Sequence, residues 1–394
     1  MDLRQTDHLK AYGVAFWTLE RGINVEWLLN YRGGSFMIDY YPEIERELRL
    51  RGVSSEMVRG GDIALIYNTI EEENMEVVML EKAPRIAVYT PQNKQPWDDA
   101  VTLALAYAEV PYDKIWDKEV LQGDLEKYDW LHLHHEDFTG QYGKFYASFR
   151  STPWYIEEVR MNEAMAVQLG FKKVSELKRA VAQIVKDFVI RGGFLFAMCS
   201  ATDSFDIALA ASQTDVVPDV FDGDPPEPNC QAKLDFSQSL AFKDFQLEMN
   251  PFVYEYSDID IPPNYAAPLR GADADAFTLF EFSAKYDPVP VMLTQNHVNV
   301  VKGFMGQTTG FRRSRIKRSL VLLGEIPETE NVKYIHGNQG RGTFTFLAGH
   351  DPEDYQHAVG DPPTQLSLHR NSPGYRLILN NILFPAAKKK KRKT

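Results

Sequence analysis

The sequence predicts an α/β protein: a doubly wound, mostly parallel sheet, with an additional α/β unit at the N-terminus. Three observations predict it. Short apolar runs alternate with longer segments of helical period along most of the chain. Hydrophobic residues make up 44% and charged residues 25%, an ordinary globular composition with material for a sizeable core. The length of 394 residues exceeds what one compact domain usually holds, so two α/β parts or one enlarged domain is expected.

Residues 1–83 read as the first unit. A helix over 7–21 stops near Gly22 and leads to an apolar strand, 25–29, and the turn Arg32-Gly33-Gly34-Ser35. Helices follow over 42–51 and 61–72, then a strand over 76–80. Gly33-Gly34 lacks the spacing of a dinucleotide-binding loop and reads as a turn. Residues 84–394 read as the main domain. Its strands are expected at 86–89, 114–116, 130–134 and 194–198, with helices at 97–109 and 174–191; Gly192-Gly193 stops the second helix. Two stretches lack a clear period, 136–158 and 214–275, and read as insertions over the sheet. The sheet pattern resumes at 289–294 and 315–323. Residues 333–336 are expected to pair with 343–347, and a helix over 373–382 closes the domain. Arg313, Arg315 and Lys317 alternate onto one strand face, either solvated or an anion contact.

Charge and cysteine usage exclude several classes. A net charge of −12 argues against nucleic-acid binding, which needs an excess of Lys and Arg. The basic tail, 388–394, reads as a solvated, disordered end, with a contact to an anionic surface as the alternative. Cys199 and Cys230 cannot build a disulfide framework and suit a reducing compartment. No apolar run reaches the length of a membrane span, and MDLRQTDHLK holds no signal-peptide core. The chain as written is expected in the cytoplasm. A helix at 7–21 with no strand before it also fits a start further upstream, and then a periplasmic protein. No cofactor is expected, and the oligomeric state is not legible.

Three groups of residues carry chemistry. In Phe194-Leu195-Phe196-Ala197-Met198-Cys199-Ser200-Ala201 a strand runs straight into a helix through Cys199. A nucleophile elbow needs small residues two before and two after the nucleophile, and Ala197 and Ala201 stand there. Such a turn puts the thiol at a helix N-terminus and aims amides, that of Ser200 among them, at a developing oxyanion. The structural alternative is a buried core cysteine. His350 ends the strand that begins at Phe344 and is the candidate base, with Glu353 or Asp351 as the carboxylate that orients it. The third group is His132-Leu133-His134-His135-Glu136-Asp137, also at a strand's carboxyl end. His134, His135 and Glu136 are candidate substrate contacts. The same cluster, with His350 or Asp351, suits a divalent metal, or else is a polar loop held by hydrogen bonds. Aromatic residues in 138–155 and 252–256 read as insertion packing or a sugar platform.

The order strand, Cys199, helix, then a late strand ending in His350 with Glu353 nearby, resembles the class I glutamine amidotransferase-like superfamily over residues 85–385. That resemblance implies Cys, His and Glu on a doubly wound sheet and hydrolysis of glutamine. Alanines stand where that family has elbow glycines, and Asp351 stands between His350 and Glu353 where it has H-P-E. Gly340 to Phe344, Gly349-His350-Asp351 and the closing helix look like the ThuA branch, linked to sugar metabolism and usually without the cysteine. The segments Leu131 to Gly140 and Gly349 to Tyr355 also resemble a Bacteroidetes family commonly labelled asparagine synthetase B. Asparagine synthesis is not expected: residue 2 is Asp2 rather than the nucleophilic cysteine, and no S-G-G-x-D-S loop is present.

The leading expectation is a Cys-dependent amide hydrolase of glutaminase type acting on a small molecule, an amide or a sugar. A non-catalytic, sugar-binding ThuA-like module and a metal-dependent hydrolase are the alternatives.

Overall fold

In the computed structural model, which describes residues 1–91, 99–261, 273, 276–287, 289–293, 298–355 and 361–387, strands and helices alternate as the apolar periods require. A small antiparallel sheet comes first: β1 (Val25–Leu29), β2 (Ser35–Met37) and β3 (Glu76–Leu80), in the order β2-β1-β3. Ten strands build the main sheet. They are β4 (Ile86–Tyr89), β5 (Asp113–Ile115), β6 (Trp130–Leu133), β7 (Phe194–Met198), β8 (Phe277–Leu279), β9 (Val300–Val301), β10 (Phe311–Arg312), β11 (Val321–Glu325), β12 (Asn331–Gln339) and β13 (Gly342–Leu347). Their order is β5-β4-β6-β7-β13-β12-β11-β8-β9, with β10 paired to β12 off this path. The first five of that order run parallel, and the pairings beyond β13 are antiparallel.

The helices are α1 (His8–Glu20), α2 (Pro42–Arg51), α3 (Gly60–Glu72), α4 (Ala100–Ala108), α5 (Asp117–Leu121), α6 (Tyr146–Phe149), α7 (Pro153–Gln168), α8 (Val174–Arg191), α9 (Ser200–Ala210), α10 (Asp219–Asp222) and α11 (Pro373–Leu383). They cover both faces of the sheet, and strand alternation sorts the core accordingly. Leu131, Leu133, Leu195 and Ala197 join Leu177 and Val181 of α8 in one apolar cluster. Trp130, Phe194, Phe196 and Met198 point the other way and join Leu105 of α4 and Leu377 of α11. Tyr12, Trp27 and Leu80 of the first unit belong to this second cluster, so that unit packs into the main domain's core. Its tightest contact is α1 against α4, where a Cβ on Gly13 would stand 1.8 Å from the Ala108 carbonyl oxygen.

Several expected elements take another form. The apolar run at 289–294 is a 3-10 turn over Pro290–Leu293, because Pro288 and Pro290 offer no N–H to a ladder; Thr294 lies outside the described residues. The strand expected at 315–323 starts at Val321, after a 3-10 turn over Arg313–Arg315. The stretch 136–158 holds α6 and the start of α7, whose first helical residue is Pro153. Insertion 214–275 carries α10 and a 3-10 turn, Cys230–Lys233; residues 262–272 and 274–275 lie outside the described residues, as do 92–98 and the tail 388–394. The pairing of 333–336 with 343–347 is present and longer, running from Tyr334 opposite Leu347 to Gln339 opposite Gly342 and turning through Gly340, whose φ is +61°.

Candidate active site

Cys199 sits where β7 hands over to α9, with φ 51° and ψ −142°. A non-glycine residue holds such a conformation only when its surroundings impose it. Those surroundings are specific. The Ala201 N–H donates to the His134 carbonyl at 2.9 Å and Ser200 Oγ to the His135 carbonyl at 3.0 Å, so the loop after β6 is stapled to the elbow. Ala197 and Ala201 are fully buried, as the crowding of the turn requires.

The sulfur is sealed by a strap, residues 304–310. It accepts the Gln307 N–H at 3.3 Å and lies near the amides of Ser200 and Thr308. Burial outweighs these donors and pushes the Cys199 thiol up to about 11. The strap is anchored on every side. Gln307 Nε2 donates to the Gly143 and Tyr254 carbonyls, both at 2.8 Å. Thr308 Oγ1 donates to Asp203 at 2.8 Å and the Thr309 N–H to Asp260 at 3.0 Å. The His350 N–H donates to the Met305 carbonyl at 2.9 Å, and a Cβ on Gly306 would stand 2.9 Å from the His350 nitrogen. Gln307 was not legible in the sequence: no local pattern marks a residue that reaches 108 positions back to a sulfur.

The histidines gather on the crest beside this strap. His132, buried on β6, meets the Phe196 carbonyl through Nδ1 at 3.1 Å and Asp99 through Nε2 at 3.2 Å. His134 Nδ1 lies 3.3 Å from His132 Nε2 and 3.5 Å from Asp99 Oδ1. The same Asp99 carboxylate caps α4, accepting the Val101 and Thr102 amides at 2.7 and 3.0 Å. Burial alone would raise the Asp99 pKa, but His132 and His134 hold it well below the usual carboxylate range. Asp99 follows β4 and His134 follows β6, adjacent strands between which the strand order reverses; ligands of open α/β sheets bind in such crevices. Local sequence marks Asp99 only as an N-cap, an aspartate just before an apolar helical run, and not as a partner of the histidines.

Above this pair, His134, His135 and His350 meet. Ring centroids are 4.6 Å apart for His134–His350, 5.2 Å for His134–His135 and 5.8 Å for His135–His350. One ring nitrogen from each lies within 4.8 Å of the other two. Glu136 turns inward and accepts the His134 N–H at 3.0 Å; burial, then the Asp99 charge, push its carboxyl up to about 8. A cavity of about 20 Å³, room for about one water, adjoins His135 and Glu136 and is lined further by Trp116, Tyr142, Glu158 and Lys178.

The other expected residues hold local structure. Asp351 is buried and accepts the Glu353 N–H at 2.9 Å, and Glu353 pairs with His369 Nδ1 at 3.0 Å. Asp137 organises its loop by accepting the Thr139 and Gln141 amides at 2.7 and 2.6 Å. Arg313 pairs with Glu325, Arg315 with Asp258, and Lys317 donates to the Ser239 carbonyl, so these cations are committed within the fold. Phe145 packs on Trp154 and on Tyr254, both with centroids at 5.6 Å, as insertion packing.

No helix among the described residues is long and apolar enough to cross a membrane. No family model matches the chain, and no curated protein does. Among solved structures it is similar to two cytoplasmic proteins of Salmonella typhimurium, STM3548 and STM1381. The first match has a TM-score of 0.35 at 10% identity, covering 78% of this chain and 100% of that one. The second has a TM-score of 0.36 at 11% identity, covering 77% and 100%. A catalytic mutant of Gan42B, a GH42 beta-galactosidase from G. stearothermophilus, matches with a TM-score of 0.24 at 10% identity, over 69% of this chain and 28% of that one. At these scores the likeness identifies neither a fold family nor an activity.

Proposed function

We propose that this protein is a hydrolase of a small polar substrate, an amide or a sugar derivative, built on a doubly wound sheet of the class I glutamine amidotransferase-like kind. Its reactive groups are His134, His135 and His350. The convergence of these three imidazoles at the carboxyl ends of β6 and β13, backed by Asp99 and His132, carries the reading. The elbow at Cys199 and the parallel order of β4, β6, β7 and β13 support the fold assignment.

The chemistry follows from the hydrogen bonds. Asp99 beside His134 Nδ1 favours the tautomer that keeps the proton there, which leaves Nε2 as the basic atom. An attacking water is activated at this crest, and its proton returns to the departing amine or alcohol. The Cys199 elbow holds the loop after β6 in place through the Ala201 and Ser200 bonds. The test is turnover of a panel of amides, esters and glycosides by the wild type and by His134→Ala, His350→Ala and Cys199→Ala. General acid–base groups contribute about 10²- to 10⁴-fold, so each histidine variant is expected to lose that much while Cys199→Ala keeps most activity. Activity surviving in both histidine variants would sink the proposal.

The φ/ψ of Cys199 favours a second reading, in which the thiol is the nucleophile and His350 its base. It requires the strap to open. Covalent labelling of Cys199 by a glutamine-mimicking electrophile, abolished in His350→Ala, would support it.

A further inference from the structure

We infer that His134, His135 and His350 form a binding site for one divalent transition-metal ion of the zinc type; this rests on the reading of the crest as the reactive centre. Three imidazoles from two strand ends, with nitrogens within 4.8 Å of one another, are the donor set such an ion takes. Zinc–nitrogen bonds of about 2.0–2.1 Å in a tetrahedron separate ligand nitrogens by about 3.3 Å, so the trio closes by no more than about 1.5 Å. Small rotations of the rings cover that distance.

A second group, Asp99, His132 and His134, is equally close. Its donor atoms are already used: His132 Nε2 on Asp99, Nδ1 on the Phe196 carbonyl, and Asp99 on two amides of α4. These residues instead orient His134. A carboxylate on the far nitrogen of a ligating histidine fixes its tautomer and raises its basicity, and His134 Nδ1 has that arrangement. His134 Nε2 is then the atom presented to the ion. Three protein ligands leave a fourth position for water or substrate, the pattern of catalytic rather than structural zinc. A bound ion would lower the pKa of that water toward about 7 and polarise a substrate carbonyl. The residues Asp215, Asp222 and Asp224 also lie close together, but Lys173 bridges all three carboxylates and fills their centre.

The experiment uses the full chain, stripped with a chelator and titrated with Zn²⁺ by calorimetry, with elemental analysis of the dialysed protein and visible spectra after Co²⁺ loading. One ion per chain and the intense bands of four-coordinate cobalt are expected. His134→Ala, His135→Ala and His350→Ala are expected to abolish stoichiometric binding. Asp99→Asn, which keeps the cap on α4, is expected to weaken it about 10- to 100-fold. Circular dichroism confirms that each variant is folded, with His350→Gln as a milder substitute if His350→Ala is not. No stoichiometric ion, or binding indifferent to His134 and His350, overturns the inference. If no ion binds while the histidine variants still lose hydrolysis, the functional reading stands without the metal. If an ion binds at these residues and nothing is hydrolysed, the metal site stands and the functional reading falls.

Discussion

Asp99 serves two structures with one carboxylate, and its substitutions separate them. Asn is as good an N-cap as Asp, so Asp99→Asn keeps the bonds to Val101 and Thr102 but withdraws the charged carboxylate from His132 and His134. A hydrogen bond to a charged group contributes about 1.5–3 kcal/mol; with the Asp99 side chain 13% exposed, about 2 is expected for Asn. Asp99→Ala is expected to cost about 1 kcal/mol more, the value of the cap. Because the Asp99 carboxyl is held below its ordinary value, its contribution is present above the unfolded pKa of about 3.9 and is lost as pH falls further. Urea unfolding of wild type and variant should therefore differ at pH 7 and converge in acid; equal stabilities at pH 7 would refute a contribution from these contacts. Cys199 behaves in the opposite sense. Its thiol is pushed up to about 11, so iodoacetamide labelling of the folded protein at pH 8 should run more than about 100-fold below that of a free cysteine and climb toward pH 11. Rapid labelling at pH 8 would show that the strap opens readily. The elbow itself was legible, because Ala197 and Ala201 are local to it. The sealing of the sulfur was not, because Gln307 arrives from a distant strap.

The elements most legible in the sequence are those whose own pattern decides them. Helix α8 occupies the range its period predicts and stops at Gly192, and β1 and β3 match their apolar runs residue for residue. Within α8 the period does not reveal Lys178, which is buried with its ammonium on Asp117 and Tyr89 at 2.8 and 3.0 Å. That partner comes from α5, and only the tertiary fold brings it there. The run at 289–294 was misread because a short apolar stretch has no period long enough to distinguish a strand from a turn. The contact of α1 with α4 sets two element-level effects against each other. Gly13→Ala should gain about 1 kcal/mol in helix propensity. It also drives a Cβ to within 1.8 Å of the rigid Ala108 carbonyl, which forces the helices apart. Overpacking of this kind costs typically about 1–3 kcal/mol, and the upper end applies where rigid backbone must move, so a net loss of about 2 kcal/mol is expected. A variant as stable as wild type in urea unfolding would mean that α1 shifts freely on α4.

At the scale of the whole molecule, the sheet is divided between two kinds of pairing. Its parallel half, β5 to β13, presents Asp99, His134, Cys199 and His350 at the carboxyl ends of consecutive neighbours, as expected of an α/β crevice. Its antiparallel half, from β12 to β9, supplies the strap that lies over the elbow, since residues 304–310 connect β9 to β10. The α/β alternation was legible in sequence; the mixed sheet was not, because strand direction depends on crossovers that cover long irregular stretches. The first unit brings a separate three-stranded sheet but no separate core: Tyr12, Trp27 and Leu80 share one apolar cluster with Phe194, Phe196 and Met198 of β7. A unit whose apolar face is completed by the main domain cannot open without exposing that domain's core as well. Native-state hydrogen exchange across a denaturant series tests this directly. The slowest amides of β1 and β7 are expected to lose protection together, with the same free energy and the same denaturant dependence. If β1 instead exchanges through an opening several kcal/mol cheaper than that of β7, the first unit is an independent folding unit, and the shared cluster does not couple it to the sheet that carries the histidines.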